Sequence, residues 1–347
     1  MQYINFLSHF KFQRIMKDEI KKIFKLDFPW QIQDPFLFCV YHLDHYPKGN
    51  GKLGPADSLQ GRNLGNDFTV KDGWRMYHGT TIPGFPAHPH RGFETITIAN
   101  KGFCDHSDSL GAAGRFGEGD VQWMTAGSGV QHAEMFPLIN TDKENTLELF
   151  QIWLNLPQKN KFVDPHFKML WHEDIPVLDL KESTVKIIAG NFNTNSAPKP
   201  APDSWAAENE NEVAVWLIHI QAEGTITLPK AEKGAIRTIY FYEGSTIEIS
   251  DKSIQLNHGI EVEASKEIKL SASDKDAKVL ILQGKPINEP VAKYGPFVMN
   301  TDEELQNAMD EFRRTQFGGW PWRYPDNVHE TNRGRFAKYP DGTVIEK

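Results

Sequence analysis

The apolar positions of this chain recur with two different periods. From about residue 29 onward, short runs of aliphatic and aromatic residues either alternate with polar ones or form brief unbroken blocks, punctuated by Gly, Pro, Asn and Ser. Side chains of a strand point alternately to the two faces of its sheet, so such runs predict strands. Runs over 36–41, 74–78, 95–99 and 147–154 make a first group. Runs over 212–221, 225–228, 236–242, 245–249 and 278–283 make a second. Residues 47–66 are rich in Gly, Pro and Asn and predict a long loop. The stretches 158–161 and 193–203 fit an interdomain connection and a loop of the second group. Short strands at this density predict an all-β sandwich or barrel.

Two segments follow the helical period instead. Leu305, Ala308, Met309 and Phe312 form one apolar stripe at i, i+3, i+4 and i+7. Thr301 and Glu304 have the spacing of a capping box, Asp302 and Glu303 complement the helix start, and Arg313 and Arg314 its end. Gly318 and Gly319 are the expected stop. Near the N-terminus, Ile15, Ile20, Ile23 and Phe24 fall among Lys and Arg residues, and this predicts a short amphipathic helix over 12–25. A helix packed on a barrel is favoured over one lying on a membrane. The segment has neither the apolar core nor the cleavage site of a secretory signal. The chain then divides into a basic N-terminal segment (1–28), a first barrel (29–165), a second (166–299) and a C-terminal helix and tail (300–347). The aromatic, charged tail from Trp320 to Lys347 is expected to lie against the domains as an ordered arm.

Composition narrows the class. A chain of 347 residues holds two domains of ordinary size. The net charge of −8 argues against direct nucleic-acid binding, because phosphate contacts need a basic surface. No apolar run has the length of a membrane span. Cys39 and Cys104 are the two cysteines, far apart in sequence, and they suggest a reducing, cytoplasmic setting. Cys104 reads as a small buried hydrophobe.

The candidate chemistry is concentrated in two stretches. His88-Pro89-His90 is followed by Glu94, and His132-Ala133-Glu134 comes 38 residues after Glu94. In strands, His88 and His90 share a face, as do His132 and Glu134. Two such strands side by side bring three imidazoles and a carboxylate together, a donor set suited to a first-row transition metal. Glu94 has the same strand parity as His88 and His90, so two carboxylates compete for the site. Gly127 and Gly129 fit a tight turn that delivers His132. By contrast His78, His219 and His258 have no His or Glu two residues away, and no metal is expected at them.

The pattern His-x-His-x3-Glu, then Gly-Asp before a Gly-rich turn and a third His, is similar to the two motifs of cupins. Three longer stretches, 84–95, 119–136 and 149–157, resemble the pirin family, and so does Tyr-Gly-Pro-Phe-Val-Met-Asn-Thr-Asp-Glu-Glu at 294–304. The resemblance runs over about 35–318 and is weak between 185 and 290. It implies two tandem cupin barrels of jelly-roll type, with iron in the first. The implied ligands are His88, His90, His132 and Glu134. Glu94 then becomes a group that orients a ligand from behind.

The resemblance also implies a reaction. Relatives of pirin include enzymes that open flavonols such as quercetin with dioxygen and release carbon monoxide. The cofactor is then Fe(II), although the same ligands also suit Mn, Ni, Cu or Co. The substrate is a small aromatic molecule, with Glu134 as the base that takes its hydroxyl proton. Phe85, Phe93, Met124 and Phe136 flank the ligands and are candidates to line its slot. The alternative is a non-enzymatic, iron-dependent redox sensor that binds a protein partner, as pirin itself is described. Isomerase or other non-redox cupin chemistry is a third class, since fold does not fix function.

Overall fold

The computed structural model describes residues 19–347. Strands dominate it. In chain order the first are β1 (Ile20–Lys25), β2 (Phe36–Tyr46), β3 (Gly84–His90), β4 (Phe93–Lys101), β5 (Phe103–Asp108), β6 (Ala113–Gly117), β7 (Asp120–Thr125), β8 (Val130–Met135), β9 (Asn145–Asn155) and β10 (His166–Leu170). One sheet of the first unit has the order β10-β7-β4-β9-β2. The other runs β6-β5-β8-β3, with two strands of the C-terminal tail, Phe336–Lys338 and Val344–Glu346, added beside β6.

The second unit repeats this two-sheet plan. A seven-stranded sheet is built on Ala214–Ile220, Ile236–Glu243 and Ala277–Gly284, and a four-stranded sheet on Thr225–Leu228, Thr246–Ile249 and Ile268–Ala272. Alternation explains its apolar runs. Trp216, Ile218, Ile239 and Phe241 point into the space between the two sheets. Their neighbours Val215, Leu217, Tyr240 and Tyr242 point the other way and pack against Ile96, Ile98, Trp123 and Phe150 of the first unit. Both faces of that sheet are therefore buried, which is the condition for near-continuous hydrophobic strands. Trp30 stacks on Tyr240 across the same interface, with ring centroids 5.1 Å apart.

Three expectations are corrected. Residues 20–25, the visible part of the expected helix over 12–25, form strand β1, and residues 12–18 lie outside the described residues. β1 pairs antiparallel with His258–Val262 at the sheet edge, where its backbone satisfies donors and acceptors that an edge leaves open. Lys21 and Lys22 face Glu263 and Glu261 at 3.1 and 3.8 Å. A bulge between Ile20 and Lys22 breaks the parity, so Ile20 enters the interior core while Phe24 packs toward Tyr240.

The run 74–78 is not a regular strand: Trp74 and Tyr77 make only isolated bridges, and Tyr77 has a left-handed φ of 56°. Its side chains serve a buried polar network instead. The C-terminal helix α1 (Asp302–Thr315) has the expected capping box, but it stops at Gln316, whose φ is 52°, before the two glycines. Gln131 donates to the Gln316 carbonyl at 2.7 Å, and this holds the stop in place.

The tail is an ordered arm, as expected. Buried Arg115 forms a two-pronged ion pair with Asp105 and donates to the carbonyls of His329, Glu330 and Arg333. Trp322 donates to the Asp108 carbonyl at 2.8 Å. Cys39 and Cys104 are both free and buried.

Candidate metal centre

The site rests on the pairing of β3 with β8. The two strands are antiparallel, and His88 lies directly opposite His132. A bulge between Phe85 and His88 places Pro86 and Ala87 out of register. Bulges bend a strand and re-aim its side chains. Here the bulge frees the Pro86 carbonyl to accept a hydrogen bond from His88 Nδ1 at 2.9 Å. With its proton at Nδ1, His88 presents the Nε2 lone pair to the interior. His132 Nε2 is 3.0 Å from His88 Nε2. The His90 ring packs 4.8 Å from both other rings. One nitrogen from each of His88, His90 and His132 lies within 4.8 Å of the others.

Burial keeps the three imidazoles neutral. It pulls His88 down to about 4, and it holds His90 and His132 well below the usual histidine range, with their neighbouring histidines adding to the effect. Neutral imidazole is the form that binds metal. His132 Nδ1 is buried without a hydrogen-bond partner, and its Nε2 meets another ring nitrogen. Such a buried cluster of ring nitrogens is costly unless a cation completes it. The donor set therefore fits a first-row transition metal.

Glu134 lies on β8, two residues beyond His132. Its Oε2 is 3.7 Å from His132 Nε2. Thr97 Oγ1 is 2.8 Å from Glu134 Oε1, and Gln151 Nε2 donates to Oε2 at 3.3 Å. Burial raises the pKa of this carboxyl.

Glu94 is elsewhere, and its expected role behind a ligand is corrected. Between β3 and β4 the chain turns at Gly92, whose φ is 84° and whose Cβ position would lie 1.9 Å from the Val298 carbonyl oxygen. β3 and β4 therefore belong to different sheets, and strand parity does not carry across the turn. Glu94 shares a face with Ile96 and Ile98, toward the second unit. There it accepts hydrogen bonds from Thr125 and Ser204. Burial outweighs those bonds and pushes its pKa up to about 7.

His88 and His90 open onto a pocket of about 620 Å³, its open mouth included. Phe28, Phe38, Phe68, Phe85, Phe136 and Trp153 wall it. Of the four flanking residues proposed for a slot, Phe85 and Phe136 line it. Phe93 lies behind, against His90 and Trp153, and Met124 belongs to a small core with Ala126 and Val130. Sequence reasoning missed Thr97, Gln151 and His42. The first two had a signal, being polar residues inside otherwise apolar strands. His42 had none, because its partner Tyr77 is 35 residues away.

A second acidic cluster, Asp120, His172 and Glu173, also has the spacing to hold a cation. Arg335 of the tail already fills it, 2.7 Å from Asp120 Oδ1 and paired with Glu173. In the second unit His219 binds Asp276 at 2.8 Å, and His258 caps carbonyls of its own turn.

Known proteins resemble this chain in sequence and fold. Residues 55–154 match the family model described as Pirin, and residues 215–318 match that of the Pirin C-terminal cupin domain. A Pseudomonas aeruginosa protein named "Putative quercetin 2,3-dioxygenase" is 37% identical over 235 residues, which is 67% of this chain and 79% of that one. A pirin-like protein of Caulobacter vibrioides is 34% identical over 238 residues, 68% of this chain and 81% of that one. Among solved structures, a quercetin 2,3-dioxygenase from Acinetobacter baumannii aligns with a TM-score of 0.68 at 27% identity, over 87% of this chain and 98% of that one. No helix among the described residues is long and apolar enough to cross a membrane. With matching models in both halves and three histidines spaced to hold a metal ion in the first, this chain belongs to the pirin family and carries its two cupin domains.

Proposed function

We propose that this protein is an iron-dependent dioxygenase that opens the ring of a flavonol-like substrate, in the manner of a quercetin 2,3-dioxygenase. The observation that carries this reading is the neutral histidine cluster at the wall of an aromatic pocket. The names of the Pseudomonas and Acinetobacter relatives support the same reaction. His88, His90, His132 and Glu134 would hold the metal. Bound Fe(II) would supply a Lewis acid for a substrate oxygen and electrons for dioxygen.

The chain's own residues do the rest. The phenyl and indole walls receive a flat ring system and exclude water. Glu134, which lines the pocket beside His88 and His90, takes the proton of the substrate hydroxyl. Thr97 and Gln151 hold its two oxygens in place.

The test is dioxygen uptake, with carbon monoxide release, by Fe(II)-loaded protein given quercetin. We expect uptake only with substrate, and none in His88→Ala. An iron-loaded protein that takes up no dioxygen with quercetin would overturn the reading and favour an iron-dependent regulator with a protein partner.

A further inference from the structure

We infer that His42 forms a second polar subsite of the pocket, an acceptor for a substrate hydroxyl remote from the metal-binding end. The inference rests on the flavonol reading above and specifies which flavonols fit. His42 lies on β2 and lines the pocket together with His88, His90 and Glu134. Its ring packs against Phe85, 6.3 Å between centroids, and Phe85 in turn packs 6.4 Å from His88. The His42 imidazole therefore sits across a phenyl ring from the metal cluster. The pocket's other polar side chains, Glu134 and Gln151, are bonded to each other, and the Thr97 hydroxyl lies within 2.8 Å of an oxygen of each.

The protonation of His42 is dictated by its neighbours. Arg75 grips both oxygens of Asp44 with hydrogen bonds of 3.0 Å, so Asp44 meets its neighbours as a hydrogen-bond acceptor. The Tyr77 hydroxyl donates its single proton to Asp44 at 2.6 Å. Its oxygen then has only lone pairs for His42 Nδ1, 2.7 Å away, so Nδ1 must be the donor. Nε2 is left with a lone pair, and Tyr77 is the only hydrogen-bond partner of this side chain among the described residues. Burial, with Arg75 adding to it, pulls His42 down to about 3, so the ring is neutral at any ordinary pH. A neutral acceptor favours a hydroxyl and offers nothing to a carboxylate or phosphate. A ligand that covers Nε2 without donating to it leaves a buried acceptor unpaired.

The probes are 3-hydroxyflavone, 3,7-dihydroxyflavone and 3,4′-dihydroxyflavone, which add a second hydroxyl at one end or the other. Their affinities for anaerobic Fe(II)-loaded protein are read from quenching of tryptophan fluorescence. We expect one dihydroxyflavone to bind about tenfold tighter than 3-hydroxyflavone, the scale of one hydrogen bond made or left unmade in a buried site. His42→Phe should abolish that gain and leave 3-hydroxyflavone bound; His42→Gln, which keeps an acceptor, should retain part of it. Equal binding of all three by the wild-type protein overturns the subsite and leaves the flavonol reading standing, whatever the variants do. A gain that persists in His42→Phe overturns it as well. If none of the three binds, the flavonol reading fails and the subsite falls with it.

Discussion

The two cupin domains share a plan of paired sheets and differ in what those sheets enclose. The second is filled with aliphatic and aromatic side chains, among them Ile218, Ile239, Ile247, Leu270, Val279 and Ile281. The first places His88, His90, His132, Glu134, Thr97 and Gln151 inside and keeps an aromatic pocket beside them. A close-packed apolar interior has no room for a ligand and gains stability from burial. A buried polar interior costs stability unless every group is satisfied, and a metal can satisfy it. One domain is a packed body, and the other holds a polar chamber with aromatic walls.

The two domains differ most sharply at the three histidines. His88→Ala or His132→Ala should remove nearly all bound metal while the β-sheet circular dichroism persists. Metal content measured by mass spectrometry checks this, and a variant with full content sinks the site. In the second domain Ile239→Ala should instead cost about 2–5 kcal/mol of folding stability, seen in denaturant unfolding, because it leaves a cavity in a filled core. Metal stoichiometry of the folded fraction should not change. A loss of metal there would mean that the two interiors are coupled.

The two carboxylates sharpen the contrast within the first domain. Glu134→Gln should lower iron content more than Glu94→Gln, since Glu94 faces Ser204 and Thr125 and not the histidines. The reverse order in a metal assay would show that Glu134 is misassigned.

The smallest effect is a pH dependence. Glu94 holds its proton up to about pH 7 in the folded protein, against an unfolded value of 4.5. The folded state then binds more protons than the unfolded one between those values. Its contribution is complete below pH 4.5 and is lost as pH rises through 7, by roughly 3 kcal/mol. The histidines with lowered pKa values act in the opposite sense below pH 6.5. The test is therefore the difference in unfolding free energy between wild type and Glu94→Gln at pH 5 and pH 8. A difference that does not change with pH would place Glu94 in a more polar setting than its burial indicates.

Much of the fold was legible because local pattern and tertiary burial agree. The strand runs at 225–228 and 236–242 fall within observed strands, and the capping box at Thr301 and Glu304 is formed. Legibility failed where distant partners decide. Residues 20–25 follow a helical spacing, yet an open sheet edge more than 230 positions away recruits them as a strand. Tyr77 leaves strand geometry, and its hydroxyl lies between Asp44 and His42, more than 30 positions away.

By itself, the sequence determined the all-β class, the C-terminal helix and the convergence of His88, His90 and His132. Each of these follows from side-chain alternation or from a motif only a few residues long. Tertiary structure alone decided that Glu94 leaves the site, that Arg335 occupies the second acidic cluster, and that Asp44 and Tyr77 fix the tautomer of His42. Those outcomes depend on turns that exchange one sheet for another and on contacts between remote residues. Neither carries a local period for the sequence to display.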